Sequence, residues 1–317
     1  MEQNKEIRTA RSKIRKVMKT LKNAIRYDEA IDALILGLVA REDVMLVGPR
    51  GTAFNHLMQM LTKLIATEFT KLTSYDVQRP SSDILFVEIT PNSGLQLRSI
   101  ERRDAWILIA TVEEAEDEVP HKFVKAFVQH LYGRDLISAV KTKWLRDYMP
   151  IASMRDVRTL HEYAVSLLKR ENIVKSYCKN VVTLVETLRV KHITIGDEHV
   201  IETLPKLYAA YLAIHGASPE NTIGAAYEIL PYIAQTREEQ DRIKKIIDES
   251  LGDVAELIRL LNDGKQQLEI GNVRGALEMF REVATYNPNL PPGLKQNAED
   301  LINAANKYIE KIQNLLT

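Results

Sequence analysis

The stretch Asp43–Asn55 places the strongest constraint on how this chain can fold. Its apolar run Val44–Val47 has the composition of a buried strand, the loop Gly48–Ala53 follows, and a helical pattern begins at Phe54. Strand, glycine-containing loop and helix in this order build a phosphate-binding loop, because backbone N–H groups and a helix N-terminus together attract anions. Such loops close with Gly-Lys-Ser/Thr, whereas here Phe54 and Asn55 stand at the last two positions. The frame of a nucleotide site is therefore present without the side chains that contact phosphate and Mg²⁺.

We expect this loop to be a vestigial nucleotide site. Its members are Gly48, Pro49, Arg50, Gly51, Thr52, Ala53, Phe54 and Asn55. The backbone amides and the charge of Arg50 remain, but the missing lysine removes a contact of about 1.5–3 kcal/mol, and the ring of Phe54 could fill the cradle. We expect ATP or ADP with Mg²⁺ to bind weakly at best. The alternative is a loop that only packs the first strand against its helix.

Composition narrows the class of protein. Lysine plus arginine and aspartate plus glutamate both number 43, so no overall charge favours nucleic acid or a membrane surface. The single cysteine, Cys178, excludes an intramolecular disulfide and is expected to be a buried structural thiol in a reducing compartment. The seven histidines lack zinc-site spacing, no apolar run is long enough to span a membrane, and the N-terminus lacks a signal-peptide pattern. These features predict a cytoplasmic protein without a metal site.

Two further strand candidates predict an α/β fold. Asp83–Ile89 and Ala105–Val112 are short, apolar and rich in β-branched residues, as buried parallel strands are. Helical patterns separate the strands, and this alternation is typical of βαβ units around a parallel sheet. The pattern over 120–148 reads as helical.

The chain beyond Pro150 shows no convincing strand pattern. Apolar residues recur there at helical spacing, and the composition becomes highly charged from Thr236 onward. Helices are predicted over Met154–Leu168, Ile173–Leu188, Glu198–Ile214 (with a kink or late start at Pro205) and Thr222–Ile233. The expected division is a basic N-terminal helix over 1–26, an α/β domain over 27–150, a helical lid over 151–236 and a helical extension over 237–317.

Residues 1–26 contain nine Lys/Arg and two Asp/Glu, with apolar residues at helical spacing. One interpretation is a contact with an acidic partner, and the other is a packed helix with a solvated charged face. The absence of interleaved aromatic residues favours the packed helix and makes nucleic acid an unexpected partner.

The segment 264–288 resembles a tetratricopeptide repeat. Its landmarks are Gly264, Gly271, Ala276, Phe280 and Pro288. Small residues let two antiparallel helices approach, and the aromatic side chain fills their interface. One repeat cannot form a peptide groove, because such arrays need about three. We expect a helical hairpin packed on the lid or on a neighbouring subunit, with a protein-interaction module as the alternative.

Three stretches together resemble the MoxR-type AAA+ ATPases. YDEAIDALILGLVAREDVMLVGPRGTA is similar to the opening of that family, WILIATVEEAEDEVPHKFVKAF to its sensor-1 strand and following segment, and HITIGDEHVIETLPKLYAAYLAIHGASPENTIGAAYEIL to its helical lid. The resemblance covers roughly residues 10–236. It implies a P-loop AAA+ α/β domain followed by an all-α lid, and the remaining helices form an all-α extension.

The same resemblance implies five catalytic features, and most are altered in this chain. Besides the two loop positions, the metal-binding Asp-Glu pair would be Val87 and Glu88, if Asp83–Ile89 is the corresponding strand. The altered sensor and arginine-finger positions are Glu113, His130, and Glu198 or its neighbour His199. Glu88 is the one catalytic candidate that survives.

These losses favour a degenerate MoxR-like protein that acts as a structural, regulatory or assembly subunit, in a ring with itself or with an active AAA+ relative. A working ATPase with unusual residues and a chaperone-like remodelling role is the first alternative. A helical scaffold that binds a partner through residues 237–317 is the second.

Overall fold

The structure is a computed structural model that describes residues 2–72, 82–89, 104–112, 123–132, 134–137, 139–140, 148–269, 271–286 and 292–316. Within this part of the chain, a parallel sheet is surrounded by helices, and the second half is helical. Of the described helices, none combines the length and apolarity that a membrane span requires.

Five parallel strands form the sheet in the order β2-β3-β4-β1-β5. They are β1 (Val44–Val47), β2 (Phe69–Leu72), β3 (Ile84–Ile89), β4 (Ile107–Val112) and β5 (Val124–Phe127). Every residue of β1, β4 and β5 is buried, as expected for a parallel sheet covered on both faces. Strand β1 lies between β4 and β5, so its carboxyl end opens at a point where the strand order reverses, the usual place for a ligand in such sheets.

The three predicted strands are confirmed as β1, β3 and β4. The helical prediction over 120–148 is wrong at its start, because Val124–Phe127 is strand β5. A four-residue buried strand is too short for periodicity to distinguish from a helix, and Lys125 interrupts its apolar run although its side chain is fully buried. Strand β2 was not predicted, because only one of its four residues is buried.

Helices α1 (Glu2–Ile25), α2 (Asp28–Ala40) and α3 (Phe54–Leu64) complete the N-terminal part. Helix α2 is buried on nearly all sides, since α1, the sheet and the later helices all pack against it. Helix α1 buries its apolar stripe, and its charged side chains pair with neighbours: Lys13 with Asp156 at 3.1 Å and Lys22 with Asp32 at 2.6 Å. The packed-helix interpretation of residues 1–26 is thus supported by these contacts.

The second half of the chain contains nine further α-helices in its described part. They are α4 (Met154–Leu167), α5 (Glu171–Tyr177), α6 (Thr183–Val190), α7 (Leu204–His215), α8 (Pro219–Ile229), α9 (Arg237–Leu251), α10 (Asp253–Glu269), α11 (Val273–Thr285) and α12 (Pro292–Leu316). Wide π-helical turns at Cys178–Val182 and His199–Thr203 lead into α6 and α7, and the 3₁₀ turn Leu230–Ile233 ends α8. Helical backbone continues from 197 through the π-helical turn to His215, so Pro205, in the first turn of α7, does not mark a late helix start.

Cys178 is exposed, which contradicts the prediction of a buried thiol. The buried face of this helical stretch carries Ile173, Tyr177 and Val181, which are four residues apart. Cys178 lies beside that stripe and faces solvent. Burial was predicted because cysteine is usually a buried residue, but the position of Cys178 beside the apolar stripe determines its exposure.

The tetratricopeptide-like hairpin forms from α10 and α11. A Cβ atom at Gly264 would lie 2.6 Å from the ring of Phe280, so glycine at this position permits the close helix approach. The Phe280 ring also stacks on Tyr308 of α12 with 4.8 Å between centroids. Pro288, the last landmark of the motif, lies outside the described residues.

Candidate functional site

The loop after β1 closes on itself at the carboxyl edge of the sheet. The Gly48 N–H donates to the Val112 carbonyl at 3.1 Å, which extends the β1–β4 pairing by one bond. Gly51 has φ +87°, a conformation that glycine adopts without strain. A Cβ atom at Gly48 would lie 2.9 Å from a methyl of Val128 and 3.2 Å from the ring of Phe54. The space directly above Gly48 is therefore filled by apolar side chains.

The ring of Phe54 lies inside the site. Only 7% of the residue is exposed, although Phe54 is the first residue of α3. Its ring centroid is 6.1 Å from that of Tyr27, which precedes α2. The two aromatic rings thus pack together at the place where an anion would have to approach the start of the helix.

Three backbone N–H groups at the end of the loop have partners within the protein. Thr52 N–H donates to the Pro49 carbonyl at 3.2 Å, and Phe54 N–H donates to the Thr52 carbonyl at 2.9 Å. Ala53 N–H donates to the Tyr27 hydroxyl at 3.3 Å. Burial raises the pKa of Tyr27, so this hydroxyl stays neutral at physiological pH. The N–H groups of Thr52, Ala53 and Phe54 are consequently engaged by the loop and by Tyr27.

Glu88 of β3 reaches the start of α3. Its carboxylate accepts from Lys71 Nζ at 2.7 Å and from Asn55 Nδ2 at 3.4 Å. The hydrogen bond from Lys71 holds the pKa of Glu88 below its usual value, against a smaller opposing effect of burial. Val87 is fully buried. The acid of β3 therefore lies beside the loop position that normally carries Ser/Thr, but in an ion pair with Lys71.

The remaining predicted positions are dispersed. The Cε1 atom of His130 lies 3.8 Å from where a Cβ atom of Gly51 would be, so this histidine borders the loop of its own chain. Glu198 is exposed immediately before the π-helical turn that leads into α7, and His199 is buried. Glu113 lies outside the described residues.

Sequence reasoning missed two residues that shape this site. Tyr27 opens the stretch that resembles the MoxR-type family, and Lys71 belongs to the strand that was not predicted. No motif relates either residue to the loop. The aromatic pair of Tyr27 and Phe54 is 27 positions apart in sequence, and only the tertiary fold places the residue before α2 against the start of α3.

Comparison with known proteins gives a family match for the same region. Residues 12–79 match the model of the MoxR domain in the MoxR-vWA-beta-propeller ternary systems. The resemblance to the MoxR-type AAA+ family is confirmed. The matched segment contains the second half of α1, then α2, β1, the loop, α3 and β2, so it includes all eight residues of the vestigial loop.

A solved structure supports the fold over a larger part of the chain. A crystal structure from Cytophaga hutchinsonii, whose protein is named provisionally as an ATPase, superposes with a TM-score of 0.52 at 14% sequence identity. The superposition covers 77% of this chain and 96% of that chain. A search of curated proteins finds no match. The predicted fold is therefore confirmed as a P-loop AAA+ α/β domain followed by helical parts.

The site of this chain does not fit ATP with Mg²⁺. Three loop N–H groups are engaged, Phe54 stands in for the phosphate-binding lysine, and Asn55 lacks the hydroxyl that would coordinate the metal. Among the residues that the structure describes, Glu88 is the predicted site carboxylate that lies beside the loop, and it is paired with Lys71. In the described part of the chain, no cluster of histidine, cysteine, aspartate or glutamate could hold a metal ion.

Proposed function

We propose that this chain is a degenerate MoxR-like AAA+ protein that does not hydrolyse ATP efficiently and acts as a structural, regulatory or assembly subunit. The observation that carries the proposal is the Phe54 ring above Gly48. A nucleotide phosphate would need the volume that this ring fills. It would also need N–H groups that now donate to Pro49, Thr52 and Tyr27.

The charges around the loop support the same conclusion. Phosphoryl transfer depends on cations that neutralise the β- and γ-phosphates and on a metal held by a hydroxyl and a carboxylate. Here the cation nearest Glu88 is Lys71, 2.7 Å away, and this pair satisfies both charges internally. Arg50 is the only basic side chain of the loop itself, and it is exposed.

Calorimetric titration with ATP and Mg²⁺, together with a phosphate-release assay, tests the first part of the proposal. We expect the Kd for ATP to be no lower than about 1 mM, which corresponds to a binding free energy of about 4 kcal/mol in magnitude. We also expect no phosphate release above background. Tight ATP binding or steady turnover would show that the loop opens in solution, and the working-ATPase alternative would then replace this proposal.

A pair of variants distinguishes the effect of the Phe54 ring on ATP affinity from the effect of the missing Ser/Thr hydroxyl. Phe54→Lys with Asn55→Ser removes the ring and restores both phosphate-contacting side chains, so ATP affinity should rise by about tenfold or more. The matched control is Asn55→Ser alone, which leaves the ring in place and should give no gain. Equal gains in both variants would mean that Phe54 does not block the site.

Protein partners are the second part of the proposal. The family model that matches residues 12–79 describes MoxR domains in systems with a vWA protein and a β-propeller protein. We infer that this chain assembles with proteins of these two kinds, or with copies of itself or an active AAA+ relative. The helical extension 237–317, taken as a separate unit, offers additional surface for such contacts.

Co-expression with the vWA and β-propeller proteins of the same genome tests the assembly role. We expect a complex that survives size-exclusion chromatography, with a mass by light scattering that gives its stoichiometry. The complex should form equally well with and without ATP, because the subunit contributes no hydrolysis. A strict monomer that binds none of these proteins would count against the assembly role while leaving the nucleotide result unaffected.

A further inference from the structure

A strongly basic surface lies along one face of α1. It contains a depression of about 380 Å³ that is lined by five cations and one serine, and no acidic residue lines it. The lining residues, here called the basic stripe, are Arg8, Arg11, Ser12, Arg15, Lys16 and Lys19. Their spacing of three or four positions places them on one side of the helix. With a rise of 1.5 Å per residue, the basic stripe is about 16 Å long.

Three cations of the basic stripe have no acidic partner among the described residues. Arg8 and Lys16 are exposed, and neither forms a hydrogen bond or an ion pair with a residue that the structure describes. Arg11 is half-buried and forms no ion pair with such a residue. Arg15 and Lys19 have partners within the protein and are not counted here. Three positive charges therefore remain available on this face of α1.

Arg11 is held in place by neutral groups. Its Nε atom donates to the Ala213 carbonyl at 2.8 Å, and its guanidinium carbon lies 5.8 Å from the centroid of the Tyr163 ring. Neither contact cancels the positive charge. The guanidinium carbon of Arg170 lies 5.7 Å from the same ring centroid. The positive region thus continues from α1 to the residue before α5.

The unpaired cations distinguish the basic stripe from the rest of α1. Lys13 and Lys22 of the same helix are paired with Asp156 and Asp32. Like charges three or four positions apart on a helix repel one another by about 0.2–0.5 kcal/mol per pair. An anionic partner would remove this repulsion. The basic stripe consequently favours a ligand that carries several negative charges at short spacing.

The surroundings of the basic stripe favour an acidic protein segment over a nucleic acid or a membrane. No aromatic residue lines the depression, so a base has no ring there on which to stack. Among the described residues, no large apolar side chain of α1 is strongly exposed, so no apolar anchor for a lipid surface accompanies the charges. A carboxylate-rich peptide needs neither of these features.

This chain itself carries a segment of that chemistry. The acidic run Glu113–Glu118 contains five acids in six positions. It follows directly after β4 and lies outside the described residues. Six extended residues span at most about 20 Å, which is comparable with the length of the basic stripe. The acidic run therefore matches the basic stripe in both charge and length.

The connectivity of the chain favours a second copy as the source of the acidic run. Residues 113–122 must leave Val112 and return to Phe123, and such a connection reaches at most about 17 Å from the sheet. Arg8 lies about 25 Å along α1 from Ile25, the end of α1 that leads to the loop beside Val112. The acidic run of the same chain is thus poorly placed to cover the whole stripe, whereas that of a neighbouring copy has no such restriction.

We propose that the basic stripe of α1 docks the acidic run Glu113–Glu118 of a second copy of this chain. In a two-fold dimer both contacts form together, because each copy supplies one stripe and one run. The inference rests on the proposed assembly role, and it assigns the surfaces through which copies of this chain meet.

Sedimentation velocity and light scattering on the full chain test whether copies associate through charge. We expect the Kd of self-association to rise at least about tenfold between about 0.05 M and 0.5 M NaCl, because salt screens exposed charges. Hexaglutamate should dissociate the copies, and hexaglutamine, the uncharged control, should not. A chain that is monomeric at low salt, or an oligomer that neither salt nor hexaglutamate weakens, would overturn the inference. The separately measured complex with the vWA and β-propeller proteins still decides the assembly role.

Charge reversal locates the contact on α1. Arg8→Glu with Lys16→Glu should weaken self-association by about tenfold or more, because two attractive contacts become repulsive. The matched control is Lys307→Glu with Lys311→Glu on α12, which changes the net charge equally at exposed positions outside the basic stripe. Equal weakening by both double variants would show that only net charge matters and would refute the assignment.

A mixing experiment tests whether the acidic run of one copy meets the basic stripe of another. Glu116→Lys with Glu118→Lys should also weaken self-association, because the altered run then repels the unaltered stripe. An equimolar mixture of this protein with the Arg8→Glu, Lys16→Glu protein should associate again, since every stripe then finds a run of opposite charge. Circular dichroism verifies that both proteins are folded. No recovery in the mixture would place the contact within one chain or elsewhere and overturn the inference.

Nucleic acid and membrane binding are the remaining outcomes. Single-stranded DNA and phosphatidylserine vesicles are the probes, and we expect neither to bind the full chain more tightly than hexaglutamate does. Tighter binding of either probe that is lost in the Arg8→Glu, Lys16→Glu protein would assign the basic stripe to that partner and overturn the inference.

Discussion

At the residue scale, Phe54 decides the character of the site. In a phosphate-binding loop this position carries a lysine that faces the ligand, whereas here the ring is buried against Tyr27 and Gly48. A residue that faced a ligand would contribute little to stability. A residue that fills a cavity contributes much, and the two cases can be separated by measurement.

Phe54→Ala should therefore destabilise the protein by about 3 kcal/mol, since truncation of a buried phenylalanine leaves a cavity. The free energy of unfolding from urea titration measures this change. Truncation of the exposed Tyr132, another aromatic residue near the loop, is the control and should cost less than about 0.5 kcal/mol. A Phe54 effect as small as that of the control would show that the ring does not fill the site.

Lys125 gives a second prediction at this scale. Its side chain is fully buried in β5, and Nζ donates to the Gln235 side chain at 2.6 Å. Burial lowers its pKa from the usual 10.5 to about 8. Between these two pKa values the unfolded chain binds more protons than the folded chain, so the free energy of unfolding rises with pH there. Below pH 8 both states are protonated, and the penalty is constant.

The free energy of unfolding should thus rise by about 1–2 kcal/mol between pH 8 and pH 9.5, because the buried lysine loses its proton in the folded state over that window. Urea titrations at several pH values, compared with the same series for Lys125→Met, isolate this effect, because all other titrating groups are shared. We expect the difference in free energy of unfolding between the two proteins to shrink as pH rises. A difference independent of pH would mean that Lys125 is solvated in the folded state.

At the element scale, the contact between α2 and β1 sets the position of the loop. A Cβ atom at Gly37 of α2 would lie 2.2 Å from a methyl of Val44 and 2.9 Å from the Glu42 carbonyl. Only glycine lets the helix approach the strand this closely. The same approach places Tyr27, at the beginning of α2, against the start of α3.

Gly37→Ala should destabilise the protein by about 1–3 kcal/mol through overpacking, although alanine is the better helix former by about 1 kcal/mol. Gly196→Ala is the matched control, because a Cβ atom there meets nothing within 4 Å. Thermal melts of both variants test the prediction. A stabilised Gly37→Ala protein would show that α2 and β1 are farther apart than in this structure.

At the scale of the whole molecule, the helical extension is joined closely to the rest. Lys125 of the sheet contacts Gln235, and the side chain of Thr236 accepts from Glu239 N–H at 3.1 Å, so α9 begins without a linker. Lys265 donates to Asn221 of α8 at 3.1 Å, and Lys179 donates to Asn297 of α12 at 2.8 Å. The Lys265 and Lys179 contacts connect α10 and α12 to the helical part before residue 236, which Lys125 and Gln235 in turn connect to the sheet.

Scanning calorimetry should consequently record one cooperative unfolding transition for the full chain, with equal calorimetric and van't Hoff enthalpies. Two transitions, one of them lost when the chain is shortened to residues 1–236, would mean that 237–317 folds independently. That outcome would favour the division at residue 236 as a true domain boundary.

The sequence by itself determined the local architecture. Apolar runs followed by a glycine loop predicted β1 and α3, and helical periodicity predicted the long helices, because such patterns depend on neighbours within a few residues. It also predicted the vestigial loop, since Phe54 and Asn55 stand at fixed positions in a short motif. Strand β2 escaped prediction because only one of its four residues is buried, and β5 because Lys125 interrupts its short apolar run.

Only the tertiary structure decided what occupies the site and how its charges are paired. Tyr27 caps the Ala53 N–H, and Lys71 pairs with Glu88, through contacts between residues that are distant in sequence. A pocket lined by residues of α1, α2, α7, α8 and α10 likewise combines side chains that are distant in sequence, and no local pattern relates them. Burial, pKa shifts and the volume of a pocket depend on long-range packing, and packing is the property that a single sequence read in short windows does not contain.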